Sequence, residues 1–342
     1  MLTFLQGKTS IYDDQVQPLE TAIKDNRTLL YASLTELKRL KSHTVPRPTE
    51  PEFLGFGKDT VGGEGGQVIK VGAKQELQTA LQHTSGKRIV ELKNSIDLEG
   101  LYITIKHKFL TILGNGFTVY NGRIETEVGE IYGYNVRFDN NQTAGDSFRI
   151  VCWSGRPVIE NIYFKNAEFV DGKDENLDLM CTGSGKIQNV TFDKCKIADD
   201  NYACLVGKGC NNITFYNNWF NYNSERNARL QNTTGFVEFI NNYVQDWKRG
   251  ATQISHGAKV SVIGNYYTST RATNYSTVNL INDGLGSTSN THLYLEGNYS
   301  PDGYKEGSEV VPYLKQTPFA SSGITPMAAT SIDKTKIGLI AN

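Results

Sequence analysis

The segment Ile213-Thr-Phe-Tyr-Asn-Asn-Trp-Phe220 opens with alternating apolar and polar residues, a pattern typical of a β-strand. Five further segments share this pattern: Ile162-Tyr-Phe-Lys-Asn-Ala-Glu-Phe169, Val190-Thr-Phe-Asp-Lys-Cys-Lys-Ile197, Val237-Glu-Phe-Ile-Asn-Asn-Tyr-Val244, Val260-Ser-Val-Ile-Gly-Asn-Tyr-Tyr267 and Leu293-Tyr-Leu-Glu-Gly-Asn-Tyr-Ser300. The starts of the six segments are 28, 23, 24, 23 and 33 residues apart. Such a period predicts a solenoid, in which each repeat forms one coil that is buried by its neighbours.

An asparagine occupies the sixth position of the last four segments, as Asn218, Asn242, Asn265 and Asn298. Side-chain amides that stack in register can hydrogen-bond to each other along a column. Asparagine is also a common turn residue, but the same position in four successive repeats favours a column. We therefore predict an all-β fold, a right-handed single-stranded parallel β-helix with a short N-terminal α-helical arm.

The composition of the chain argues against several kinds of binding partner and against a zinc site. The 342 residues include 33 glycines and carry a formal net charge of −1, which gives no reason to expect nucleic acid or an anionic membrane as partner. We also expect no membrane span, because the chain has no run of about eighteen apolar residues. The cysteines lack the spacing of a zinc site and are predicted to be buried thiols: Cys152, Cys181, Cys195, Cys204 and Cys210.

Three regions follow each other along the chain. Residues 1–44 are predicted to form a helical arm for attachment or assembly. Its apolar residues fit heptad spacing at Leu19, Ile23, Leu30, Leu37 and Leu40. This pattern fits a short coiled coil, or an amphipathic helix that packs on the β-helix or on another protein. Residues 45–52 contain three prolines and are predicted to be a stiff linker, and residues 53–342 are the predicted β-helix domain.

Both ends of the predicted β-helix have candidate covers. The segment Lys74-Gln-Glu-Leu-Gln-Thr-Ala-Leu81 is predicted to be a helix that caps the open N-terminal end, since solenoids need such a cap. The tail from Pro312 to the end of the chain is predicted to fold back along the coils.

Several motifs resemble, in the same order, those of family 1 pectate lyases. The motifs before the capping helix are Gly55-Phe-Gly57 and Gly62-Gly-Glu-Gly-Gly-Gln-Val-Ile-Lys-Val71, and those after it are Arg88-Ile-Val-Glu-Leu92 and Leu110-Thr-Ile-Leu-Gly-Asn-Gly116. The similarity covers roughly residues 53–342. It implies a lyase that cleaves uronic-acid chains by β-elimination with the help of calcium. A helical arm joined to such a β-helix also resembles phage tail spikes and tail-fibre depolymerases.

The resemblance implies a calcium site. Calcium needs a cluster of oxygen ligands, usually several carboxylates. In the stretch Asp174-Glu-Asn-Leu-Asp178, Asp174 and Asp178 match a pair of acidic ligands of the family. Asp146, on an upstream strand, matches a third. The alternative is that Asp171, Asp174, Glu175 and Asp178 form only a solvated acidic turn.

The resemblance also assigns the catalytic base to Arg226. A free guanidinium has a pKa above about 12 and stays charged in water. It can accept a proton only where burial and neighbouring cations disfavour its charged form. The alternative is a surface arginine paired with Glu225.

The substrate contacts depart from the family pattern. Ala228 and Gln231 replace a proline and a second arginine, Ala144 replaces an acidic ligand, and Tyr202 replaces the substrate-binding lysine. These changes predict a rebuilt contact to the sugar carboxylate. The candidate substrate-binding residues in this chain are Arg229, Lys208 and Tyr202. Trp247 is predicted either to line the groove or to cover the coil edge.

We predict a polysaccharide lyase that acts on pectate or on a capsular or exopolysaccharide uronate. One alternative is a catalytically weak or inactive glycan-binding tail spike, or a structural virion protein, on the same scaffold. Another is a secreted plant-wall enzyme whose export signal is absent from the chain, because the N-terminus lacks the apolar core of such a signal. The expected location is extracellular or a virion tail, with residues 1–44 available for self-association or virion attachment.

Overall fold

The computed structural model describes residues 53–143, 145–231, 235–281, 289–319 and 321–338. The predicted arm (residues 1–44) and linker (residues 45–52) lie outside the described residues, so both stay predictions. Within the described ranges, no helix is long and apolar enough to cross a membrane.

The described residues form three parallel sheets, and successive coils contribute successive strands to each sheet. The first sheet contains ten strands: β1 (Gln67–Val71), β2 (Arg88–Leu92), β5 (Leu110–Leu113), β8 (Ile131–Tyr134), β11 (Ile159–Lys165), β14 (Ile187–Asp193), β17 (Cys210–Tyr216), β20 (Phe236–Ile240), β23 (Lys259–Ile263) and β26 (His292–Glu296). The second sheet contains eight: β4 (Tyr102–Ile105), β7 (Arg123–Thr126), β10 (Phe148–Cys152), β13 (Glu175–Cys181), β16 (Tyr202–Val206), β19 (Arg229–Gln231), β22 (Thr252–Ser255) and β25 (Val278–Ile281). The third sheet also contains eight: β3 (Ile96–Asp97), β6 (Thr118–Tyr120), β9 (Arg137–Asp139), β12 (Glu168–Val170), β15 (Lys196–Ala198), β18 (Trp219–Asn221), β21 (Tyr243–Gln245) and β24 (Tyr266–Thr268). The predicted parallel β-helix is confirmed.

The predicted asparagine column exists and lies at the turn between the first and third sheets. The amide nitrogen of Asn218 donates to Oδ1 of Asn242 at 3.0 Å, Asn242 donates to Asn265 at 3.1 Å, and Asn265 donates to Asn298 at 2.9 Å. The same oxygens accept the backbone N–H of the preceding asparagine. Because each amide is shared between coils, the column fixes the register of successive repeats.

The residue before each column asparagine has a left-handed backbone. The φ angle is 59° at Asn217, 53° at Asn241, and 62° at both Gly264 and Gly297. Asparagine and glycine are the residues that adopt this conformation at least cost. This explains why the fifth position of the last four segments is restricted to these two types.

Stacked phenylalanines fill the coil interior at the third position of the segments. The rings of Phe164 and Phe192 lie 5.9 Å apart and nearly parallel, and those of Phe192 and Phe215 lie 5.2 Å apart. All three side chains are fully buried. Burial of such a side chain contributes about 1.5–3 kcal/mol, so the third position supplies much of the apolar core.

The predicted capping helix is confirmed, and the described part of the tail folds back along the coils as predicted. The helix α1 (Lys74–Gln78) continues as a π-helical turn over Thr79–His83, and Leu77, Ala80 and Leu81 are buried against the first coil. In the tail, Ile332 and Ile337 pack around Tyr243 on the third sheet. The 3₁₀ turns of the C-terminal part are Ser308–Tyr313, Ala329–Ser331 and Lys334–Lys336.

All five cysteines are free thiols. Burial is confirmed for four of them, whereas Cys181 is only partly buried. They fill space in the coil walls in the way small apolar residues do.

Candidate active site

The starting edge of the second sheet gathers acidic residues from three coils. Asp146 precedes β10, Asp174 precedes β13, and Asp200 precedes β16. The strands are parallel and in register, with Glu175 opposite Tyr202. Strand starts therefore lie side by side, and we call this region the acidic edge (Asp146, Asp174, Glu175 and Asp200).

Three carboxylates of the acidic edge come together. One oxygen each of Asp146, Asp174 and Glu175 lies within 4.8 Å of the other two, and the backbone N–H of Glu175 donates to Oδ1 of Asp146 at 3.2 Å. Asp178, which the sequence also predicts as a ligand, lies further along β13 and outside this group of three. There its Oδ2 is 3.3 Å from Nε of Arg149.

The protein environment disfavours the charged forms of these acids. Burial is the main cause that raises the pKa of Asp146 to about 6 and the pKa of Asp178 to about 7, where the charge of Asp146 adds to the effect. Burial likewise raises the pKa of Asp200 to about 7. Arg149 and Arg123 oppose the shifts of Asp146 and Asp178 without cancelling them. Carboxylates held in this way gain strongly from a bound cation.

The donor set fits calcium. Calcium lies about 2.3–2.6 Å from its oxygen ligands, so two ligands of one ion lie within about 5 Å of each other. The 4.8 Å limit on the oxygens of Asp146, Asp174 and Glu175 meets this condition. In addition, Oδ1 of Asp178 and Oδ2 of Asp200 are buried and have no hydrogen-bond partner among the described residues. Unused buried acceptors are costly unless a cation or water engages them.

Arg226 lies directly beside the acidic cluster. Its guanidinium forms an ion pair with Glu175 and stacks over the ring of Tyr202, with Cζ 3.9 Å from the ring centroid. Its backbone is left-handed, with a φ of 60°, a conformation that non-glycine residues adopt at a cost and often at functional sites. Glu225 instead pairs with Arg249, Oε1 to Nη2 at 3.0 Å. The alternative of an Arg226–Glu225 surface pair is therefore wrong.

Two influences lower the pKa of Arg226 below its ordinary value. Burial contributes most, the positive charge of Arg229 adds to it, and Asp174 opposes both. Arg229 begins β19. It pairs with Leu205 of β16 on one side and with Gln253 of β22 on the other. Arg229 is thus a second cation whose charge acts on Arg226.

Lys208 lies apart from these residues. It is exposed in the turn that follows β16, whereas Tyr202 begins that strand. Six residues of extended chain span about 20 Å. Of the predicted substrate-binding residues, the structure therefore brings Tyr202 and Arg229 to Arg226, and it leaves Lys208 at the opposite edge of the sheet.

Two acidic residues at this edge were not assigned a role from the sequence. Glu175 lies within the stretch 174–178, but only Asp174 and Asp178 match the acidic pair of the family. Asp200 is two residues before Tyr202, and the coil register was the signal that would have found it. Of the two alternatives for Trp247, the groove is wrong: the side chain is fully buried, and Nε1 donates to the carbonyl of Asn274 at 2.9 Å.

Curated proteins similar in sequence are pectate lyases. A probable pectate lyase C of Emericella nidulans is 26% identical over 279 residues, and one of Aspergillus flavus is 27% identical over 283. The matches cover 76% of this chain and 62% and 63% of those proteins, respectively, so the chain spans less than two thirds of their length. No protein-family model matches the sequence.

Solved structures with the same fold are also pectate lyases. The enzyme of Bacillus sp. N165, determined with trigalacturonate, has a TM-score of 0.64 at 18% identity and matches 86% of this chain and 100% of its own. A Bacillus subtilis pectate lyase with an arginine-to-lysine substitution has a TM-score of 0.58 at 14% identity, over 87% of this chain and 99% of its own. These relatives give no support to the tail-spike expectation. The chain is thus similar in sequence to curated pectate lyases and shares the parallel β-helix fold of solved ones.

Proposed function

We propose that the protein is a polysaccharide lyase that cleaves a uronic-acid polysaccharide by calcium-assisted β-elimination, with Arg226 as the base. One observation carries the proposal: the guanidinium of Arg226 contacts Glu175, a member of the carboxylate cluster. β-Elimination next to a carboxylate needs a base beside a cation that binds that carboxylate. The names of the similar proteins point to the same chemistry.

Asp146, Asp174 and Glu175 would hold calcium, and Asp178 is a further candidate ligand on the same strand as Glu175. When bound, calcium would supply positive charge to the sugar carboxylate and stabilise the negative charge that develops on it. Mutual repulsion and burial of the carboxylates favour cation binding, because the cation relieves both costs.

Arg226 in its neutral form would take the proton from the carbon next to the carboxylate. The C–H electron pair forms a double bond to the neighbouring carbon, the bond from that carbon to the glycosidic oxygen breaks, and the oxygen takes a proton from water. Burial and Arg229 favour the neutral guanidinium, and the Tyr202 ring restricts its position. Arg229 and Tyr202 would also contact the sugar.

The test is incubation with a panel of uronate polysaccharides, with calcium and with a chelator. We expect calcium-dependent products whose new double bond conjugated to the carboxylate absorbs in the ultraviolet. A hydrolase with two catalytic carboxylates would instead give saturated products and tolerate the chelator. That outcome would overturn the proposal.

A second candidate is a glycan-binding protein without turnover on the same scaffold. Tyr202 and Gln231 favour it, because they stand where a lysine and an arginine of the family would contact the substrate carboxylate. Saturable binding to a uronate polysaccharide, with no oligosaccharide released at high protein concentration with calcium, would decide for this candidate.

The location and the role of the arm follow from the substrate. A polysaccharide is a substrate outside the cell, so we infer that the protein acts there. For residues 1–44 we propose self-association or attachment to a carrier. Deleting them should leave the catalytic rate unchanged and abolish multimers, as measured by light scattering. A truncated protein that unfolds would show that these residues pack on the β-helix.

A further inference from the structure

The finishing edge of the second sheet differs in charge from the acidic edge. The turns that leave this sheet carry exposed or half-exposed cations from several coils: Lys106 and Lys108 after β4, Arg156 after β10, Lys186 after β13, and Lys208 after β16. We call these five residues the basic edge. Neighbouring strands are about 4.8 Å apart, so the turns of successive coils lie side by side and carry these cations along one edge of the sheet.

A cavity of about 270 Å³ lies on the basic edge, and Trp153 forms part of its wall together with Lys106, Lys108 and Arg156. Trp153 is 39% exposed. Its indole N–H donates to Oε1 of Glu127 at 3.0 Å, while Oε2 of Glu127 lies 2.6 Å from Nζ of Lys106. Glu127 therefore holds both the ring and one lysine in place.

The cavity has excess positive charge. Its lining includes three cations and one carboxylate, Glu127, which Lys106 already engages. Lys108 and Arg156 form no ion pair with any described residue, and the same holds for Lys186 and Lys208. Cations that outnumber the carboxylates around a half-exposed indole suit a ligand that carries both negative charge and a flat apolar face.

A sugar acid has this combination. The C–H face of a sugar ring packs on an aromatic face, and a carboxylate pairs with lysine or arginine. Along β10, Asp146 and Trp153 are seven residues apart, or about 23 Å of extended chain. One polysaccharide chain that crosses the second sheet would therefore meet the two edges with different sugar units.

We propose that the basic edge is a second binding site for carboxylated polysaccharide, with Trp153 as the platform for one sugar ring and the cations of this edge as partners of carboxylates along the chain. The substrate class rests on the proposed function, but the site itself does not require turnover. Lys208, which lies away from Arg226, finds its role here.

Binding is tested on the full chain in a chelator, which prevents calcium-dependent cleavage and binding. The probes are polygalacturonate and alginate fragments, with a neutral glucan for comparison, measured by calorimetry. Trp153→Ala is expected to weaken binding of the better acidic probe about tenfold, as loss of a central aromatic contact does. Tyr299→Ala, a control at an aromatic of similar exposure (43%), should leave affinity within about twofold.

A second pair of variants tests how much the cations of the basic edge contribute to binding. The double variant Lys108→Gln, Arg156→Gln should also weaken binding about tenfold, with a smaller salt dependence than wild type. Lys58→Gln, Lys70→Gln removes the same charge from exposed positions elsewhere and should change little. Equal effects in the two double variants would overturn the proposal. So would a wild type that binds neither acidic probe or that binds the neutral glucan equally well. Full affinity in Trp153→Ala would also overturn it.

Failure of this site and failure of the proposed lyase are distinguishable. If no uronate is cleaved but Trp153→Ala loses binding, the lyase proposal fails and the site stands. If the wild type cleaves and Trp153→Ala keeps its affinity and its KM, the site fails and the lyase stands. When both hold, Trp153→Ala should raise KM on long chains but not on oligosaccharides too short to span about 23 Å of sheet.

Discussion

The asparagine column and the acidic edge are built by the same coils, but they differ in how their polar groups are satisfied. In the column, the amide of Asn242 accepts from the backbone and side chain of Asn218 and donates to Asn265 and to the carbonyl of Phe215. At the acidic edge, a buried oxygen of Asp200 has no hydrogen-bond partner among the described residues, and the same holds for Asp178 further along β13. The amides of the column are neutral and hydrogen-bonded to each other, whereas the carboxylates of the acidic edge repel one another and leave acceptors without donors. The repeated coil thus gains stability at the turn that holds the asparagine column. At the turn that holds the acidic edge it has an electrostatic cost, which a bound cation would relieve.

The largest effect is expected from the base at the acidic edge. Arg226→Lys should lower kcat by about 1,000-fold or more, because lysine replaces the planar group that stacks on Tyr202 and a proton acceptor is normally worth about 100- to 10,000-fold. Binding of the polysaccharide should change little. The rate is followed by ultraviolet absorbance under saturating substrate with calcium.

Arg249→Lys is the matched control, since Arg249 pairs with Glu225 near the same edge but does not contact the carboxylate cluster. It should keep a rate near that of the wild type. Full activity in Arg226→Lys would show that another residue is the base.

A substitution in the asparagine column is expected to lower the stability of the fold without changing the catalytic rate. Asn242→Ala leaves the N–H groups of Asn218 and the carbonyl of Phe215 without their partners inside the coil. Each buried polar group left unpaired costs about 1–3 kcal/mol, so we expect the free energy of unfolding to fall by about 2–4 kcal/mol. Urea unfolding measures this loss.

Asn290→Ala is the comparison variant, because Asn290 is exposed in a turn. It should stay within about 0.5 kcal/mol of the wild type, as surface changes usually do. If the two variants were equally stable, the column would not hold the coils together.

Asp146 at the acidic edge, together with Asp178 further along β13, should make the metal-free protein less stable as pH rises. The pKa of Asp146 is raised to about 6 and that of Asp178 to about 7, from 3.8. Between pH of about 4 and 7 the folded protein therefore binds more protons than the unfolded chain, and its free energy of unfolding falls with rising pH. We expect a loss on the order of 2 kcal/mol from these groups, less than two independent shifts would give, because the carboxyls interact.

Unfolding is measured in a chelator across this window, for wild type and Asp178→Asn. The variant should lose less stability over the same pH range, since its amide does not ionise. Added calcium should restore more stability to the wild type at pH 7 than at pH 5, because protons compete with the cation. Equal pH profiles for wild type and variant in the chelator would contradict the assignment of Asp178.

The same two regions show what could be predicted from the sequence. The column was predictable because identical side chains at one position of a repeat stack only if the coils are in register. The membership of the carboxylate cluster was not predictable. Regular alternation would place Glu175 and Asp178, three residues apart, on opposite faces of the strand, but the first five residues of β13 are all buried and do not show which face carries the site. Arg226 was placed by family resemblance, but its contact with Glu175 depends on a left-handed turn that the sequence does not specify. Trp247 was ambiguous because an aromatic at a coil edge fits both groove and core.

The smallest expected effect concerns Tyr202, which stands where the family has a lysine and here lies under the guanidinium of Arg226. If its ring serves mainly to position the base, Tyr202→Phe keeps the stacked face and should hold kcat within about twofold. Tyr202→Ala removes that face and should lower kcat roughly five- to tenfold, the equivalent of about 1 kcal/mol for a partly exposed cation–π contact. If Tyr202 instead contacts the sugar alone, Tyr202→Ala should raise KM and leave kcat unchanged. Steady-state kinetics on one substrate separate the two roles. A change in kcat would mean that Tyr202 positions Arg226 and no longer makes the substrate contact of the family lysine. A change in KM would mean that Tyr202 takes over the substrate contact of that lysine.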